Sequence, residues 1–334
     1  MKFHYEFDIP SPDQLIHHQQ NLMLIGSCFT ENIGEKLSKY KFTVLENPNG
    51  ILFNPVSVNE AITQYIERRV FSIDDLFTLN ESWHSWKHHS RYSGITPEDA
   101  LQKINQSTEQ AHQFLKNADQ IIITLGSAWV YTLTEKAANA KKGEVAANNH
   151  KAPADWFAKK LLTTEEVLSM LDHMIHRLFH FNKKLQIIFT ISPVRHLREG
   201  VIENNKSKAV LIQAVHHLVE KFDRLYYFPA YELVIDDLRD YRFYAEDLVH
   251  PNYHATQYVW EKLVNACMSE ETKALLKEIE PIRLAAQHKP FNPSTQQHQQ
   301  FLLTYLGKAR QMEKQYPYIS WKEEIAYFES CLNK

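Results

Sequence analysis

Short apolar runs alternate with longer stretches of helical period along most of the chain, the pattern of βα units built around a parallel sheet. Leu22 to Gly26 reads as a first strand. The helix after it, from about Phe29 to Lys39, carries Phe29, Ile33 and Leu37 on one face at i, i+4 and i+8. Phe42 to Leu45 is a second strand, closed by Asn47-Pro48-Asn49-Gly50, a turn by composition. Ser57 and Glu60 have the spacing of a capping box ahead of a helix bearing Val58, Ile62 and Ile66. Ile121 to Leu125 and Leu185 to Ile191 are the third and fourth strands. Between them Thr163 and Glu166 cap a helix whose apolar face is Val167, Leu171, Ile175 and Leu178. Val210, Ala214, Leu218 and Phe222 mark a further helix before a fifth strand, Leu225 to Phe228. Five strands with helices between them predict an α/β fold, a three-layer α/β/α sandwich around a five-stranded parallel sheet.

Two regions break the alternation. Trp129 to Ala147, turning at Lys141-Lys142-Gly143, reads as a hairpin inserted after the third strand. Beyond about residue 270 strand signals cease, and helical segments separated by Pro281, Pro290, Pro293 and Pro317 predict a C-terminal helical extension. The expected organisation is an α/β body over 1–269 with residues 270–334 packed on it.

Composition narrows the function. The 334 residues include only 8 glycines, about a third of what average usage of roughly 7% supplies. Neither G-x-G-x-x-G nor G-x-x-x-x-G-K-[ST] occurs, which argues against a dinucleotide site or a P-loop, and no cofactor is expected. Lys+Arg 37 against Asp+Glu 40 gives a net charge of -3, so no basic surplus points to nucleic acid or to a membrane surface. The N-terminus lacks the apolar core of a signal peptide and no window approaches 18 apolar residues, so a cytoplasmic protein is expected. Cys28, Cys267 and Cys331 are odd in number and far apart, the pattern of reduced thiols.

In open parallel sheets ligands bind beyond the carboxyl ends of the strands. Gly26, Gly50 and Gly126 follow the first three strands and are expected to converge there. After Gly26 come Ser27 and Cys28, two nucleophile candidates at a helix start, where unpaired N–H groups and the helix dipole lower a thiol's pKa and can hold an oxyanion. Asp247 and His250, three apart in a turn after the fifth strand, have the spacing for a carboxylate to fix the imidazole tautomer. Asn252 then caps a helix with Val259, Leu263 and Ala266.

A nucleophile after the first strand and Asp-x-x-His before the last helix resembles the SGNH, or GDSL-type, hydrolase superfamily. Gly26-Ser27-Cys28-Phe29-Thr30 resembles the motif of the GSCFA domain family within it. Asn47 to Gly50, Trp83-His84-Ser85-Trp86, Ile191 to His196 and Tyr241 to Asp247 resemble further stretches of that family, so the likeness runs over about 22–266. It implies an SGNH hydrolase-like sheet of strand order 2-1-3-4-5. It also implies an acyl-ester hydrolase, an acyltransferase to a sugar hydroxyl with the same residues, or a non-catalytic small-ligand-binding module. The substrate would be a small-molecule or carbohydrate ester. Cys28 aligns with the superfamily's serine nucleophile and is favoured over Ser27, with His250 as base and Asp247 as its orienting group.

The block Gly126-Ser127-Ala128 lacks the asparagine that the superfamily uses as an oxyanion donor. The remaining donors would be the N–H groups of Cys28 and Gly50, with Asn47, Asn49, Asn148 and Asn149 as candidate replacements and Asn49 included in the expected hole. Gly126, Ser127, His84, Trp86, His150, Arg195 and Arg242 are expected to contact substrate. His84 and His88 have i, i+4 spacing but no carboxylate or thiol nearby in sequence, so no metal is expected.

Overall fold

The computed structural model describes residues 5–333. Strand β1 (Asn21–Gly26) runs into helix α1 (Cys28–Lys39), which is followed by β2 (Thr43–Glu46) and α2 (Pro55–Glu67). A small hairpin of β3 (Phe77–Leu79) and β4 (Ser82–His84) precedes the long helix α3 (Pro97–Asn117), β5 (Gln120–Leu125) and β6 (Trp129–Leu133). The chain continues through β7 (Phe157–Leu161), α4 (Thr164–Phe181), β8 (Gln186–Ile191), α5 (Val201–Lys221), β9 (Leu225–Tyr227) and the short α6 (Ala230–Glu232). Helices α7 (Tyr253–Cys267), α8 (Glu270–Gln287), α9 (Gln296–Gln315) and α10 (Lys322–Leu332) complete it.

The main sheet is five-stranded and parallel, in the order β2-β1-β5-β8-β9. These are the five expected strands in the expected order. Their side chains alternate between two cores, because successive residues of a strand face opposite sides of a sheet. Met23, Ile25, Ile121, Ile123, Ile187 and Phe189 pack with α2, α3, α4 and α5. Leu22, Leu24, Ile122 and Ile188 pack with Phe29, Ile33 and Leu37 of α1 and Val259 and Leu263 of α7. Apolar burial on both faces explains why these strands read as unbroken apolar runs.

Several boundaries differ from the sequence reading. Helix α2 starts earlier than Ser57: Asn54 is its cap, accepting the Ser57 N–H at 2.9 Å, with Pro55 in the first turn. The expected hairpin forms, with an antiparallel Thr132–Val145 bridge, and β6 also pairs antiparallel with Phe157–Leu161. The 143–146 segment runs along its other edge, with Leu133 N–H on Glu144 O at 2.7 Å and Ala146 N–H on Tyr131 O at 2.9 Å. Pro281 does not separate two helices; it lies inside α8.

The extension has its own core, in which Trp321 and Phe328 are fully buried with Leu302, Ala309 and Ile279. It is fastened to the body by a Lys41–Glu324 ion pair at 2.6 Å and by Lys41 over the Trp321 ring. No helix among the described residues is long and apolar enough to cross a membrane.

Candidate functional site

Only Ser27 separates β1 from α1, so the turn is tight. Gly26 has φ +144, and a Cβ there would lie 2.2 Å from the Thr124 carbonyl oxygen of the neighbouring strand, so the close approach of β1 and β5 requires glycine. Ser27 is fully buried and caps α1, its Oγ accepting the Phe29 N–H at 3.3 Å. Cys28 is only half-buried. Of the two nucleophile candidates, Cys28 is therefore the more exposed, and Ser27 is the cap. Burial pushes the Cys28 thiol up from its ordinary value; the N–H groups of Cys28 and Phe29 and the Lys208 charge pull it down, while Glu31 adds to the rise. As the first residue of the helix, Cys28 has an N–H with no intrahelical acceptor.

The Asp247–His250 pair forms as its spacing predicts. His250 Nδ1 lies 2.6 Å from Asp247 Oδ2, and Asp247 Oδ1 accepts the N–H groups of Val249 at 2.9 Å and His250 at 3.0 Å. The backbone and side-chain donors of His250 and the Val249 N–H hold the Asp247 carboxyl down at about 2, so it stays charged. Both side chains are about half exposed, and Asn252 caps α7 as expected. Arg195 ties this loop to the end of β8: its N–H reaches Val249 O at 3.2 Å, its guanidinium reaches Leu248 O at 3.2 Å, and it stacks 4.1 Å over Tyr244. Arg195 thus anchors the loop to the strand end. Arg242 is exposed and pairs with Asp240 at 3.1 Å. No hydrogen bond joins His250 to Cys28 or Ser27 among the described residues.

Two of the expected oxyanion donors are already engaged. The Gly50 N–H donates to Asn47 O at 2.7 Å, and Gly50 packs on His89, where its φ of +82 serves the turn. The Asn49 amide donates to Gln64 Oε1 at 3.0 Å and Lys87 O at 3.2 Å, and its oxygen accepts from Tyr65 at 2.7 Å. Asn49 is therefore a buried structural link and not part of an oxyanion hole. Asn47 accepts the Gly26 N–H at 2.8 Å, leaving its Nδ2 buried without a partner. The convergence of glycines is correspondingly partial: Gly26 and Gly126 flank Ser27, whereas Gly50 belongs to the adjoining turn.

Gly126 and Ser127 do lie at the sheet crest, both N–H groups donating to Phe53 O at 2.8 and 2.9 Å. A Cβ on Gly126 would sit 3.0 Å from His196 Nε2 and 3.4 Å from Ser27 Cβ, which places His196 beside the cap residue. Lys208 of α5 is fully buried, its Nζ donating to Gly126 O at 2.7 Å and to Ser192 O at 2.6 Å, the carbonyls of the residues just after β5 and β8. Burial without a carboxylate partner lowers Lys208 to about 7. His196 is pushed down to about 3 by burial first, then by the charges of Lys208 and His250.

His196 was visible in sequence as the residue ending the fourth-strand motif but was not assigned to the site; Lys208 was missed. The available signal was the apolar stripe of α5, Leu218, Ala214 and Leu211, which continues at helical spacing into Lys208, Ser207 and Asn204. A stripe that turns polar while remaining buried marks a functional or network position.

A cavity of about 250 Å³ opens beside this crest, lined in part by Phe53, Ser127, Trp129, Tyr131, Asn148 and His196. A second of about 390 Å³ adjoins it through Tyr131, Asn148, Asn149 and Arg198, and includes His150. His150 is thus near the cleft, with Nε2 2.9 Å from Ser85 O. The expected Trp86 and His84 wall is absent from it. Trp86 is buried, stacked on Phe77 at 3.7 Å with its indole N–H on Ala138 O at 3.1 Å, and both ring nitrogens of His84 are engaged, by Ser93 Oγ at 2.6 Å and Leu79 O at 3.1 Å.

The class defined by these features is an α/β protein with a five-stranded parallel sheet flanked by helices, and with a thiol at the helix start after the first strand. The chain belongs to the GSCFA family, whose model matches residues 21–263; the model described as "GSCFA domain protein, C-terminal domain" matches residues 279–334. No curated protein matches it. A solved structure described as "a putative platelet activating factor from Streptococcus pneumonia" is 14% identical over 74% of this chain and 83% of that one, with a TM-score of 0.40.

Proposed function

We propose that the protein is an SGNH-type acyl-transfer enzyme acting on a small-molecule or carbohydrate ester. Cys28 attacks the acyl carbon, His250 relays the proton to the leaving oxygen, and Asp247 fixes the imidazole. Water as the second acceptor makes the reaction an ester hydrolysis; a sugar hydroxyl makes it an acyl transfer. The observation that carries this reading is an imidazole whose Nδ1 is held at 2.6 Å by a charged carboxylate, on a loop anchored at the same sheet end as a half-buried thiol. The Cys28 N–H stands at the helix start as a backbone donor to the developing oxyanion.

A second reading, a small-ligand-binding module, is favoured by one observation: no hydrogen bond links His250 to the thiol, and the Gly50 and Asn49 donors are engaged elsewhere. The two readings are separated by incubating wild-type and Cys28→Ala protein with O-acetylated sugars and short-chain aryl esters and identifying the products. Release or transfer of the acyl group by wild type alone supports the enzyme. Binding of the same compounds, unchanged by Cys28→Ala and without product, supports the module.

A further inference from the structure

The acyl-transfer reading leaves the developing oxyanion short of donors. Ala128 supplies no side-chain group, the Gly50 N–H and the Asn49 amide are bonded within the protein, and of the expected hole the Cys28 N–H is left, with the candidate replacements Asn148 and Asn149 on the wall of the cavity. A reaction of this kind normally uses two or more, and losing one costs about 10²- to 10³-fold in rate.

His196 is a polar group at the crest with no assigned work. His196 Nε2 is buried and without a hydrogen-bond partner, lying against Gly126 in space a Cβ would fill. The ring stands edge-on to Phe53 at 5.2 Å, its backbone N–H is fixed by Asn204 Oδ1 at 2.9 Å, and the residue lines the cavity at the crest. A buried nitrogen left unpaired costs free energy, so its persistence beside a cavity points to a partner that arrives with the ligand. Asn47 Nδ2 is also unpaired, but Asn47 is fully buried, whereas His196 opens on the cavity. Burial, with Lys208 and His250 as the titratable groups facing it, keeps the His196 ring neutral. A neutral imidazole carries one N–H and can donate it without first losing or gaining a proton.

We propose that His196 is a further catalytic residue, donating its ring N–H to the substrate carbonyl oxygen as Cys28 attacks, and so supplying the side-chain donor that Ala128 lacks. The inference rests on the acyl-transfer reading. As the sulfur–carbon bond forms, the carbonyl π pair moves onto oxygen, and the His196 N–H strengthens its bond to that oxyanion. Collapse returns the pair to the carbonyl and expels the leaving oxygen, which takes its proton from His250.

The test compares two reactions of the same thiol. Acylation by p-nitrophenyl acetate passes through an oxyanion; alkylation by iodoacetamide does not. Both are followed at Cys28 by peptide mass spectrometry in wild type, His196→Ala, His196→Phe and His196→Gln. The proposal expects acylation to fall about 10²- to 10³-fold in the Ala and Phe variants, alkylation to stay within about twofold, and the Gln amide to recover part of the loss. Equal acylation in wild type and the variants, or a parallel fall of acylation and alkylation, overturns it. His196→Phe fills the ring's volume without a donor and decides the matter should His196→Ala fail to fold. A wild-type thiol that is alkylated but never acylated refutes the acyl-transfer reading itself, a different result from either of these.

Discussion

Replacing Lys208 by Met removes a charge that the fold buries without a carboxylate. In the folded protein its amine is held down to about 7, against an ordinary value of 10.5. The unfolded chain therefore binds more protons than the native one between those values, so stability rises with pH across the window and the contribution is lost as pH falls toward 7. At about 1.4 kcal/mol per tenfold change in proton affinity, Lys208 adds about 2 kcal/mol of stability between pH 7 and pH 9. The Met variant lacks this gain and leaves the Gly126 and Ser192 carbonyls unpaired, at about 1–3 kcal/mol each, which offsets relief of the buried charge near pH 7. The pH dependence is therefore the cleaner observable. Cys267, pushed up to about 12 by burial, acts oppositely, lowering stability as pH rises above its ordinary range, but it is common to both proteins and cancels in the difference. Urea unfolding of both proteins under reducing conditions at pH 7, 8 and 9 measures it. Parallel stability curves for wild type and Lys208→Met would refute the reasoning.

Other consequences are equally specific. Gly26→Ala, with its Cβ 2.2 Å from the Thr124 backbone oxygen, is expected to destabilise by more than about 4 kcal/mol or to prevent folding, read as soluble yield and Tm. Gly307→Ala, inside α9 with nothing within 4 Å of the added methyl, should raise stability by about 0.5–1 kcal/mol. Trp86→Ala should cost about 3–5 kcal/mol in urea unfolding and leave the KM of the folded protein unchanged, since the indole lies in the core. Asp247→Asn should lower kcat by about 10²-fold or more with little change in KM. With the wild-type carboxyl at about 2, its protonation should leave no inflection in the rate profile at pH 4–8.

The parts legible in the sequence are those where one physical demand dominates. β1, β5 and β8 are buried on both faces, so their apolar runs could hardly be read otherwise, and the Asp247–His250 bond follows from local spacing. Helix α3 escaped because its buried positions include the small or polar Ala100, Thr108 and Ala111, a weak stripe despite the Thr96-Pro97 start. The hairpin at Lys141-Lys142-Gly143 was legible from its turn, whereas Phe157–Leu161, which pairs with the other edge of β6, lies across a longer loop and escaped. Trp86, His84 and Asn49 looked available because local sequence does not show which hydrogen bonds the tertiary fold will use. Arg195 shows the same limit: its position after a strand was read correctly, but its partners come from residues 244–249.

The proposed chemistry stands or falls on Cys28 forming the covalent acyl intermediate. Rapid quenching of the protein with p-nitrophenyl acetate, followed by peptide mass spectrometry, measures this directly. One acetyl group on Cys28 should accumulate within a turnover and be absent from Cys28→Ala, with Ser27→Ala still acylated at Cys28. An acetyl group on Ser27, or turnover that persists in Cys28→Ala, would contradict it.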